Sequence, residues 1–116
     1  MTHFKVDIQL PLTFNPEDGG GKIPEEYLHQ TYEELLAIAG GINTSNTPII
    51  GSWINPDNKN RYNDKMVVYT VLVVSEDKAT VSNVPKIKEL KEYKELLKKR
   101  FKQYAIFMVA TRCVWI

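Results

Sequence analysis

The stretch Met66-Val67-Val68-Tyr69-Thr70-Val71-Leu72-Val73-Val74 constrains this chain more than any other. Successive side chains of a strand point to opposite faces, and here both parities are almost wholly apolar. Such a run, rich in β-branched residues, reads as a central strand covered on both sides. The chain is 116 residues long. That length fits one domain, residues 1–116, with a single two-layer core. The remaining segments are therefore read as covers for this strand.

Phe4-Lys5-Val6-Asp7-Ile8-Gln9-Leu10 alternates strictly and predicts a half-buried strand that Pro11 ends. Asn15 to Lys22 is a turn-rich loop with three consecutive glycines. Their spacing fits neither the P-loop nor the dinucleotide fingerprint, so a plain flexible loop is expected. Pro24 suits a first helical position, and Glu25 and Glu26 complement the helix dipole. Leu28, Tyr32, Leu35, Leu36 and Ala39 then recur on one helical stripe until Gly40-Gly41. Ile49–Ile54 predicts a short strand in which Gly51 marks a bulge or a close approach. Asn55 to Asn60 is a dense turn signal joining it to the central strand. Residues 76 to 83 read as loop or as a first helical turn. From Val84-Pro85 a helix follows, with Asn83 as its cap, a stripe of Ile87, Leu90, Leu97 and Phe101, and Tyr93 and Tyr104 on one edge. Ala105 to Ile116 predicts a last strand, apolar at both parities.

The order β-α-β-β-α-β, with right-handed crossovers, places two helices on one face of a four-stranded antiparallel sheet of order 4-1-3-2. The expected arrangement is an α+β sandwich that resembles the ferredoxin-like fold. At closer range the chain resembles a group of short bacterial proteins of that fold. The resemblance rests on Phe4-Lys5-Val6, Thr31-Tyr32-Glu33-Glu34-Leu35 before Gly40-Gly41, Gly51-Ser52-Trp53, Tyr62 and Asp64, and Leu97-Lys98-Lys99-Arg100-Phe101-Lys102-Gln103. It implies a fold and no activity.

Net charge is +1, which excludes a chain driven as a whole onto nucleic acid or membrane by its field. The charge is divided, however. Residues 86 to 102 carry eight Lys or Arg against three Glu, while residues 1 to 85 carry six basic and eleven acidic side chains. The single Cys113 forms no internal disulfide and suits a reducing cytoplasm. No apolar run reaches the roughly 20 residues of a membrane span.

Chemistry is weakly marked. His3, His29 and Cys113 have no ligand spacing, so neither a metal site nor another cofactor is expected. Three residues are candidate catalytic groups. Asp7, mid-strand and pointing away from the helices, resembles at one position the small ferredoxin-like nucleases that pair two such aspartates around a divalent ion in a dimer. His29 and Tyr32 are acid-base candidates if the chain is a cofactor-free dimeric α+β-barrel enzyme. Trp53, Arg61, Tyr62 and Asp64 form the densest aromatic-polar cluster. The two rings are read as flanking a planar ligand and Arg61 as reading an anion. Lys88, Lys91, Lys98, Lys99 and Lys102 share one helix face, a surface for an acidic or nucleic-acid partner.

Assembly carries the strongest inference. The helices cover one sheet face, and the other receives apolar residues from the third and fourth strands. That patch predicts a homodimer through the open face, or continuation through the C-terminal strand. Taken together, these features predict a non-catalytic binding or regulatory module acting as a homodimer, with a small enzyme, nuclease or barrel, as the alternative.

Overall fold

The computed structural model describes residues 1–45, 47–76 and 80–116. Among them the elements are β1 (Thr2–Pro11), α1 (Glu25–Ala39), β2 (Ile42–Thr44), β3 (Ile49–Ile54), β4 (Arg61–Ser75), α2 (Pro85–Arg100) and β5 (Phe107–Cys113). They form an α+β fold with a five-stranded antiparallel sheet and two helices. The order is β2-β4-β1-β5, with β3 also paired to β4.

The apolar run occupies the centre of β4. Met66 opposes both Pro11 and Ile49, and Val71 opposes both Val6 and Ile42. β2 and β3 therefore lie on the same edge of β4, away from β1. The sequence predicts four strands, and the fifth arises because this edge is split. Ser45 Oγ donates to the Thr47 carbonyl at 2.8 Å and accepts the Thr47 N–H at 3.2 Å. This local turn takes up polar groups that a continuous ladder would use, and Pro48 has no N–H to offer.

Phe4, Val6, Ile8 and Leu10 of β1 and Tyr69, Val71 and Val73 of β4 are buried, and share one core with Leu35, Leu90, Leu97 and Phe101 from the helical side. The opposite parity faces away from the helices; on it Val74, Phe107 and Val109 are exposed, and Val68 and Leu72 are half-buried. Cover within the chain is thus one-sided.

Helix boundaries follow local chemistry. Gly40 closes α1 at φ 83°, the left-handed region its lack of a Cβ permits. Asn83 is not the cap of α2. It ends a short 3₁₀ turn, Val81–Asn83, and Val84 takes the cap position without a side-chain hydrogen bond, ahead of Pro85. The ambiguous segment before it falls partly on residues 77–79, outside the described residues.

One polar feature of the core has no counterpart in the hydrophobic pattern. Thr31 is fully buried. Its hydroxyl donates to the Tyr27 carbonyl at 2.7 Å and accepts from Arg100 Nη1 at 2.8 Å. Arg100 also pairs with Glu34 at 2.7 Å, and Tyr93 O–H donates to the same carboxylate at 2.8 Å. α1 and α2 are clasped by these groups. Burial pushes the Glu34 carboxyl up, but the bonds from Tyr93 and Arg100 outweigh it and hold the group below its ordinary value. Burial, then the Glu34 carboxylate, raises the Tyr93 hydroxyl to about 12.

Candidate active site

The β3–β4 hairpin is held by its own turn residues. Asn55 N–H donates to the Asn60 carbonyl at 2.9 Å. Asn55 and Asn58 side chains accept the N–H groups of Asp57 and Asn60 at 2.8 and 2.9 Å. Lys59 completes the turn at φ 63°. Such side-chain-to-backbone bonds stiffen a tip that is otherwise solvated.

That tip fixes the register, with Trp53 opposite Tyr62 and Gly51 opposite Asp64. The rings of Trp53 and Tyr62 stack with centroids 4.9 Å apart, and Tyr104 approaches Trp53 at 6.3 Å. Trp53 Nε1–H donates to Asp64 Oδ2 at 3.3 Å. Tyr62 is anchored from behind, its hydroxyl donating to Glu17 and accepting from Asn58.

Beside this cluster, on the sheet face away from the helices, lies a cleft of about 540 Å³. Gln9, Pro11, Met66 and Phe107 line it from the sheet, Trp53 and Asp64 from the tip side of the hairpin, and Gln103 from the α2–β5 connection. Gly51 shapes it. A Cβ there would collide with the Met66 methyl, so the glycine lets Met66 lie flat against β3. Most of the exposed wall is apolar, and Asp64 is the charged side chain among the described lining residues. Size and lining suit a small organic ligand with an aromatic part. A wider cleft of about 640 Å³ lies between the end of α1 and Trp115. Lys5 is its charged lining residue, and that amine already faces Asp7 at 3.6 Å.

The structure brings Trp53, Tyr62 and Asp64 together. The two rings stack on each other, with Tyr104 also stacked on Trp53, so a planar ligand does not pass between Trp53 and Tyr62. Arg61 points to the other side of the hairpin, where it donates to Asn63 at 3.2 Å and to Ser52 at 3.4 Å. Asp7 accepts from Thr70 at 2.7 Å and faces Lys5. His29 is exposed on α1, whereas Tyr32 is half-buried with its ring edge-on to Tyr69 at 5.7 Å. Neither lines the clefts just described. On the basic face, Lys88, Lys91, Lys99 and Lys102 are exposed. Lys98 is held by Glu95 at 2.9 Å, and the Lys102 amine lies 5.5 Å from the Phe14 ring centroid. No group of three or more His, Cys, Asp or Glu among the described residues is placed to hold a metal ion. No helix among them is long and apolar enough to cross a membrane.

Sequence reasoning missed Gln9, Pro11, Met66, Gln103 and Phe107 as lining residues. Met66 belongs to β4 itself, Gln9 and Pro11 to β1, which pairs with β4, and Gln103 and Phe107 reach the cleft because β5 pairs with β1. The available signal was register. Gln9 shares the outward parity of β1 with Asp7, the side on which a hairpin longer than β1 leaves a recess.

These features define an α+β sandwich with an aromatic-walled, carboxylate-bearing cleft on its open face. No protein-family model matches the chain, and no curated protein matches it. Among solved structures it is similar to a phage SAM lyase in complex with S-methyl-5'-thioadenosine, with TM-score 0.63 and 12% identity over 95% of this chain and 81% of that one. It is similar also to a phage SAM lyase in the apo state, with TM-score 0.58 and 14% identity over 96% and 81%. At these identities the likeness is one of fold. It corrects the expectation of a non-catalytic binding module. That expectation took the sandwich for a presenting scaffold, whereas nearly the whole chain superposes on the scaffold of a lyase.

Proposed function

We propose that this chain is a small enzyme acting on S-adenosylmethionine, or a nucleoside sulfonium built like it, in the cleft beside Trp53. The observation that carries the reading is the likeness over 95% of the chain to a lyase holding S-methyl-5'-thioadenosine. The cleft supports it. Trp53 offers a ring surface to a purine, the apolar wall suits a thioether, and Asp64 suits a cation. Cleavage on the amino-acid side of sulfur returns both bonding electrons to sulfur and releases the neutral thioadenosine. The carbon leaving sulfur bonds to the substrate's own carboxylate, so the step needs neither water nor a base. The protein's contribution is to hold the reacting atoms in line and to exclude water.

Incubating the purified chain with S-adenosylmethionine and separating the products by chromatography is expected to show S-methyl-5'-thioadenosine above the spontaneous background. Background levels at high protein concentration would reject the reading.

We read the fold as a ferredoxin-like sandwich of order 4-1-3-2 whose second strand is divided into β2 and β3. A second copy covering the open face is part of the same proposal. Phe107 and Val109 are 55% and 41% exposed on that face and line the cleft. A partner there would bury an apolar rim and close the site to water. Light scattering at micromolar concentration is expected to give twice the monomer mass, and a monomeric value would remove the dimer from the proposal. The cytoplasm, which holds such nucleosides and keeps a lone cysteine reduced, is the compartment this function fits.

A further inference from the structure

We infer that Asp64 makes the cleft a selector of charge, admitting nucleosides that carry a positive centre and turning away neutral thioethers and phosphorylated nucleosides. The inference rests on the site proposed above and adds the rule by which that site tells its ligands apart.

Among the described residues no Lys, Arg or His lines the cleft, and neither helix N-terminus contributes to it. A phosphate would meet no cation among those residues, only the neutral polar groups of Gln9, Ser52 and Gln103, the Asp64 carboxylate and apolar surface, and none of these compensates its charge. The nearest sequence neighbour with positive charge, Lys65, has the opposite parity in β4, and Arg61 is committed to Asn63 and Ser52.

Asp64 itself is half-buried. One oxygen accepts from Trp53 Nε1 at 3.3 Å, which fixes the carboxylate beside the ring. No Lys or Arg is paired with it among the described residues. A carboxylate held at an apolar wall without a cation attracts one from solution more strongly than the same group in water does. Trp53 adds to this, because its ring face also attracts a cation. Ring and carboxylate therefore present one consistent preference.

The consequence for turnover is directional. A sulfonium substrate enters with the charge that Asp64 favours. Once the carbon–sulfur bond breaks, sulfur is neutral and that attraction is gone. The same residue that helps to hold the substrate ceases to hold the nucleoside product.

The test uses the full chain with Trp115→Phe, so that Trp53 is the remaining tryptophan and reports on the cleft by fluorescence. Rapid mixing with S-adenosylmethionine, with S-adenosylhomocysteine (the same skeleton lacking the methyl group and the sulfonium charge) and with adenosine monophosphate gives the three affinities before turnover. The expected result is about tenfold or greater preference for the sulfonium over the neutral thioether, with the monophosphate weakest. Asp64→Asn keeps an acceptor for the Trp53 N–H and is expected to bring the first two affinities within about twofold, while Asp64→Glu retains the preference. An unchanged ratio in Asp64→Asn overturns the inference, as does equal or tighter binding of the monophosphate, or no binding of any of the three. The ratio needs no catalysis. Thioadenosine release with an unchanged ratio therefore fails the inference alone, and an intact ratio without release fails the proposed reaction alone.

Discussion

Replacing Trp53 by Ala is expected to raise the KM for S-adenosylmethionine by about ten- to hundredfold, with a smaller fall in kcat. Stacking of a base on an aromatic side chain is worth about 1–3 kcal/mol, which sets that range. Two further losses act in the same direction. Asp64 loses the N–H that holds its carboxylate beside the cleft. Tyr62 and Tyr104 lose the ring on which both stack. Trp53→Phe separates these contributions, since it restores a ring without the N–H. It is expected to recover most of the affinity for the nucleoside and less of the preference for its charge. Circular dichroism and thermal unfolding must be read alongside, because the hairpin carries the site. A Trp53→Ala variant that folds normally and keeps the wild-type KM would place the substrate elsewhere in the molecule.

The parts of this reading that were legible in the sequence are those governed by local pattern. Both parities of Met66–Val74 are almost wholly apolar, and β4 is, with β1, one of the two strands that pair on both edges. The strict alternation of Phe4 to Leu10 placed the inward residues of β1 correctly, since all four are buried. Gly51 signalled a close approach, and Met66 provides it. The aromatic-polar character of Trp53, Tyr62 and Asp64 was visible as composition. Their grouping on one side of the hairpin, with Arg61 on the other, required the register to be known, because a shift of one residue exchanges the faces. The split edge was hidden for a different reason. Ser45 and Thr47 bond each other locally, and such competition with a ladder leaves no trace in hydropathy. Thr31 and Arg100 were hidden most completely. A threonine on an apolar helix stripe and an arginine in a lysine-rich segment read as solvated polar residues until the other helix is in place.

That hidden pair sets the second large effect. Arg100→Met is expected to lower the free energy of unfolding by about 2 kcal/mol. Removing one partner of a fully buried ion pair costs about 3–5 kcal/mol. Here the Arg100 side chain is 11% exposed but that of Glu34 is 37% exposed, so solvent screening reduces the figure. The pH dependence carries its own signature. The Glu34 carboxyl is lowered in the folded chain from 4.5, so its contribution is fully present above that pH and is lost as pH falls through the folded value. Tyr93 is raised from 10.0 to about 12, so its contribution is present below pH 10 and is lost as pH rises toward 12. Urea unfolding across this range is expected to show a plateau with both limbs. Arg100→Met should shift the acid limb to higher pH, because Glu34 loses the cation that favours its charged form. Tyr93→Phe should reduce the alkaline limb while leaving Arg100 paired. Unchanged limbs in both variants would mean that the clasp contributes nothing to folding. The clasp also bears on the site. Arg100 is the last residue of α2, and Gln103 and Phe107 follow directly as cleft-lining residues. Loosening the helix end should widen the cleft on that side, so Arg100→Met is expected to raise the KM for S-adenosylmethionine at temperatures where the variant remains folded.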